Sequence, residues 1–89
     1  MTIHKYPLKA IDKQVVIMPL NSQILTVQMQ RDQMYMWAMV TESNTDKEGH
    51  LIEIIPTGVT LNDNVKRRYI CTVQMCGGSL IWHVFEVEG

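Results

Sequence analysis

Two pairs of segments constrain this chain more than anything else in it: Gln23 to Gln30 followed by Gln33 to Thr41, and Arg68 to Cys76 followed by Ser79 to Val87. In each pair the side chains alternate with a period of two about a two-residue turn, the signature of a β-hairpin. Taking Arg31 and Asp32 as the first turn sets Met29 opposite Met34, Val27 opposite Met36 and Leu25 opposite Ala38 on a wholly apolar side. On the other side Gln28 meets Tyr35 and Thr26 meets Trp37. In the second hairpin Gly77 and Gly78 both tolerate positive φ, as a type I′ turn requires. That turn pairs Met75 with Leu80, Val73 with Trp82 and Cys71 with Val84, and leaves Thr72 against His83, Gln74 against Ile81 and Ile70 against Phe85. A helical reading scatters all of these residues around an axis.

Short runs of β-branched, aromatic and thioether residues recur about every ten positions between Pro, Gly, Asn, Asp or Ser, which is the spacing of an antiparallel sandwich or barrel. The expected fold is therefore all-β, with about seven strands and little or no helix, in one domain over residues 1–89. The remaining strands fall at Thr2 to Tyr6, Lys13 to Met18 and His50 to Ile55. Leu61 to Arg67 reads as an ordered loop or a single turn behind a cap at Asn62. The string TVQM occurs at Thr26 to Met29 and again at Thr72 to Met75, each time just before a tight turn. Convergence on a good strand sequence accounts for it more simply than duplication does.

Eight Lys and Arg against nine Asp and Glu give a net charge of -1, which argues against the electrostatic grip of a DNA-binding protein. No apolar run approaches the roughly 18 residues of a membrane span. Cys71 and Cys76 lie in one extended reading, about 16 Å apart and on opposite faces, so no bridge joins them. Free thiols and the absence of an apolar leader point to the cytoplasm. Apolar residues make up 46% of a chain that buries only roughly 60 to 65% of its unfolded surface. Some of them must remain outside, which suggests a homo-oligomer or a partner interface.

Catalytic signatures are missing from the sequence. His4, His50 and His83 are too scattered for a metal signature, and neither cysteine has a partner at ligand spacing, so neither a metal site nor a cofactor is expected. There is no nucleophile elbow, paired-carboxylate motif or phosphate loop. His83 is either a donor to a ligand or a half-buried histidine bonded to its strand neighbour. Lys66, Arg67 and Arg68 form the densest positive run, suited either to an anion or to plain solvation at a strand edge. The segment Glu42 to Glu48 reads as an exposed connection. More suggestive is the mixed side of the two hairpins, carrying Thr26, Gln28, Tyr35, Trp37, Thr72, Gln74 and His83. Aromatic planes beside amides suit stacking on a flat ligand or a protein contact, and they equally suit a second packed layer.

The segments KYPL at Lys5 to Leu8, WAMV at Trp37 to Val40, PTG at Pro56 to Gly58 and GGSLIWHVFE at Gly77 to Glu86 together resemble a family of small phage and prophage proteins. That family carries a tyrosine-containing start, a tryptophan strand, a GTG loop and a closing tryptophan-histidine strand. Here the loop reads PTGV where the family reads GTGH, so no histidine role at that loop is carried over. The resemblance implies a non-enzymatic binding protein acting in the cytoplasm of a bacterial host. It would block a host protein or sequester a small signalling nucleotide, with the Trp37 and His83 faces and Arg67 and Arg68 as its binding residues. The alternative is a structural domain of a phage particle whose mixed face is a subunit contact.

Overall fold

The computed structural model describes residues 1–88 and contains seven strands. They are β1 (Thr2–Leu8), β2 (Lys13–Pro19), β3 (Gln23–Gln30), β4 (Gln33–Val40), β5 (Lys47–Pro56), β6 (Lys66–Met75) and β7 (Leu80–Glu88). All pairings are antiparallel: β1, β4 and β3 form one sheet in that order, and β2, β5, β7 and β6 form the other. The expected all-β sandwich is the observed one. β5 and β6 begin earlier than the sequence pattern suggests, at Lys47 and Lys66, because backbone pairing continues through polar residues that the hydrophobic alternation does not mark.

Both tight turns are where their chemistry places them. Arg31 takes φ 57, while Cys76, Gly77 and Gly78 take φ 53, 66 and 93, and the Ser79 N–H donates to the Cys76 carbonyl. Those left-handed residues match the twist of the strands they join. From the turns, the register runs as expected through Met29↔Met34, Val27↔Met36 and Thr26↔Trp37, and through Met75↔Leu80, Val73↔Trp82, Thr72↔His83 and Cys71↔Val84.

Farther from each turn the register slips, and two expected pairs are wrong. Ala38 faces Ile24 rather than Leu25, and Phe85 faces Tyr69 rather than Ile70. Each hairpin contains a β-bulge, which sets one extra residue against the partner strand and displaces every pair beyond it. Leu25 is thereby left 40% exposed, while Ile24, Ile70 and Cys71 all pack on the core. Both bulges lie on edge strands, and the two edges meet: the Cys71 thiol donates to the Val27 carbonyl at 2.9 Å.

The core lies between the sheets. Leu8, Val27, Met34, Met36, Ala38 and Val40 from one meet Val16, Met18, Ile52, Ile54, Val73 and Val84 from the other. Each fully buried aliphatic side chain contributes about 1.5–3 kcal/mol, and the methionines fill the irregular gaps between sheets. The molecule measures 40 × 34 × 16 Å. Its thinnest dimension accommodates two sheets about 10 Å apart and no third layer. Among the described residues no further sheet covers the outer face of either, and loop 57–65 lies against that of the four-stranded sheet, beside Glu53 and Arg67. This loop joins β5 to β6, which flank β7 on either side. It contains no helix but has a single turn that opens at Asn62, whose side chain accepts from the Asn64 N–H and whose carbonyl accepts from the Val65 N–H.

Candidate binding faces

The strand register assigns every candidate residue to a face. In the three-stranded sheet Met34, Met36 and Ala38 point into the core, so Tyr35, Trp37 and Met39 point outward. Their lateral neighbours complete an outer face: Pro7 and Gln28 beside Tyr35, Lys5 and Thr26 beside Trp37, and Ile3 beside Met39. Tyr35 and Trp37 are both half-buried, with ring centroids 6.0 Å apart and planes at 59°. The Lys5 ammonium sits 4.3 Å from the centre of the Tyr35 ring and donates to Gln30 Oε1 at 2.9 Å. Gln28 donates to the Thr26 hydroxyl at 3.3 Å. The face thus offers two aromatic planes, one cation held by a ring, and an amide and hydroxyl pair.

Thr72, Gln74 and His83 lie on the outer face of the other sheet, on the opposite side of the molecule. His83 stands between two hydroxyls, with Thr57 Oγ1 at 2.7 Å from Nε2 and Thr72 Oγ1 at 3.1 Å from Nδ1. The Tyr69 hydroxyl continues the chain to Thr72 at 2.7 Å, and its ring meets Phe85 edge-on at 5.6 Å. Since a hydroxyl both donates and accepts, either tautomer of His83 is satisfied. That is the bland alternative for this histidine, with a second threonine added. The mixed sides of the two hairpins are consequently two separate surfaces rather than one.

The basic run does not act as a unit either. Arg67 donates through Nε to Glu53 Oε1 at 2.5 Å and through a terminal nitrogen to the Asn62 carbonyl at 3.0 Å. Glu53 is only 6% exposed beneath loop 57–65, and Lys13 approaches its second oxygen at 4.0 Å. Arg68 points to the other side of β6, where it donates to Glu86 Oε1 at 2.8 Å. Both guanidinium groups hold carboxylates: Arg67 is mostly buried in its pair, whereas Arg68 donates through one nitrogen and keeps most of its side chain exposed.

The family model for the domain of unknown function DUF7352 matches residues 1–89. The chain belongs to this family. No curated protein and no solved structure matches it.

This DUF7352 chain also holds a polar group that sequence reading passes over. His50 is bracketed by Glu86 Oε2 at 2.5 Å from Nδ1 and Glu48 Oε1 at 3.0 Å from Nε2, with Arg68 behind Glu86 and the Asn21 N–H on Glu48. Glu48 and His50 are neighbours on one face of β5, and strand pairing brings the distant Glu86 and Arg68 to them; Glu48 belongs to β5 rather than to the preceding loop. Among the described residues no group of three or more His, Cys, Asp or Glu side chains is arranged to hold a metal ion. No helix among them is long and apolar enough to cross a membrane. Both cysteines are free. Burial pushes the Cys71 thiol and the Tyr6 phenol above their ordinary values.

Proposed function

We propose that this chain is a phage-derived binding protein with no reaction of its own, acting in the bacterial cytoplasm as a homo-oligomer. It recognises its target on the Tyr35 and Trp37 face. The observation that carries this reading is the adjacent, half-buried pair of rings on a sheet face that no other layer covers. Aromatic planes with a nearby cation and amide are suited to stacking on a nucleobase while the phosphate meets Lys5. The motif resemblance to small phage proteins supports a target in host defence, and a signalling nucleotide is the ligand that this face fits best. Arg67 and Arg68 are engaged by Glu53 and Glu86 on the other sheet, whereas Lys5 and Arg31 line one hollow beside Tyr35 and are the cations a phosphate would meet on this side.

Isothermal titration against a panel of linear and cyclic nucleotides tests the reading, with a host-lysate pull-down as its protein arm. Binding in the micromolar range or tighter that Trp37→Ala removes, with the fold retained, is the expected result. Silence in both arms overturns it.

A further inference from the structure

The sandwich has four strand edges, and three of them carry a feature that discourages pairing with another chain. β1 has the exposed Lys5 on its outer side and Pro7, which has no N–H to give. β3 is bulged at Leu25 and lies against β6. β6 is bulged at Ile70 and opens with Lys66, Arg67 and Arg68. The fourth edge, β2, has no bulge, and its lysine and its proline stand only at its two ends. It pairs with β5 in unbroken register from Lys13 to Pro19, has no charge between Gln14 and Met18, and places its proline only at the last position.

On its outer side β2 also exposes two β-branched side chains, Val15 at 60% and Ile17 at 59%. Behind them on β5 are Leu51 and Gly49. A Cβ at Gly49 would lie 3.0 Å from Val15 Cγ1 and 3.5 Å from Ile17 Cδ1, so the two side chains lean over the glycine and make a flat apolar strip. A flat, apolar, unguarded edge is the feature that natural sheets otherwise avoid.

We propose that β2 pairs antiparallel with β2 of a second copy of this chain, about a two-fold axis through Val16. The strand is self-complementary in that register. Val15 faces the partner's Ile17, Gln14 faces the partner's Met18, and Lys13 faces the partner's Pro19 rather than another lysine. No like charges oppose one another, and the row on the outer face becomes continuous aliphatic surface. The two four-stranded sheets merge into one of eight strands, while the Tyr35 and Trp37 face of each copy stays free on the other sheet. This supplies the contact for the oligomer proposed above and does not depend on any ligand. Two seven-residue strands with their flanks bury less than the roughly 800 Å² per partner of a standard interface, so the dimer dissociates in about the micromolar range.

Sedimentation equilibrium from about 1 to 300 μM tests the proposal. The mass should rise with concentration from 10.3 kDa toward twice that value. Val15→Lys/Ile17→Lys should remain monomeric with the thermal stability of the dilute wild type, and Ile3→Lys on the β1 edge should still dimerise. A wild type that stays at monomer mass throughout, or a double-lysine variant that still assembles, overturns the proposal. For the register, Val15→Cys and Ile17→Cys chains in a Cys76→Ser background should cross-link with each other in a mixture faster than either does alone. Equal rates overturn the axis at Val16. Nucleotide titration of the double-lysine variant separates the two readings, because binding through Trp37 should survive the loss of the dimer.

Discussion

Arg67 and Arg68 are adjacent in sequence and sit on opposite sides of one strand. Arg67 meets a carboxylate that is almost fully buried, and its loss leaves that charge without its main partner. Arg67→Ala should therefore cost about 3 kcal/mol in urea unfolding, whereas Arg68→Ala, whose side chain is mostly exposed, should cost less than about 1 kcal/mol. Neither role was legible from the run itself, since the partners Glu53 and Glu86 arrive from distant strands. The two thiols diverge in the same way. Cys76 is exposed in a turn and should react with a disulfide reagent at neutral pH, while Cys71, half-buried and bonded to Val27, should react only as the fold opens. Folding raises the Cys71 value, so the native state keeps its proton where the unfolded chain loses it. That contribution to stability is fully present below the ordinary thiol range of roughly 8.5 and is lost as pH rises beyond it; Cys71→Ala should flatten the alkaline decline of the urea midpoint.

At the scale of elements, the turns were readable and the bulges were not. Gly77 and Gly78 announce a left-handed turn because few other residues adopt it cheaply, and Arg31 with Asp32 is fixed by the alternation on either side. Gly78→Ala should destabilise by about 1–2 kcal/mol, since it adds a side chain at φ 93 and places Cβ 3.2 Å from Gln74 Oε1. Cys76→Gly should be neutral or stabilising, because it relieves a non-glycine residue at φ 53. Thermal unfolding of the two variants gives the sign of each. The bulges at Leu25 and Ile70 left no mark in the alternation: apolar residues stand on both sides of each, and Ile24 serves the core as well as Leu25 would have. Pairing near the turns was therefore predictable, and pairing one bulge away was not.

For the whole molecule, the sequence pattern revealed two amphipathic hairpins but not that they belong to different sheets. Nothing in a period of two says which strands share a layer, so Trp37 and His83 looked like parts of one surface. Because they face opposite ways, Trp37→Ala should abolish nucleotide binding while His83→Ala changes it less than about twofold, a contrast that parallel titrations would read directly. The strand order has a consequence for how the chain is made. β7 follows both β5 and β6 in sequence yet lies between them. Before β7 is made, β5 and β6 have no strand between them, and the backbone edges that β7 pairs with on each are left open. The four-stranded sheet therefore closes only when residues 80–88 slide in like a keystone, joining β2 and β5 on one flank to β6 on the other.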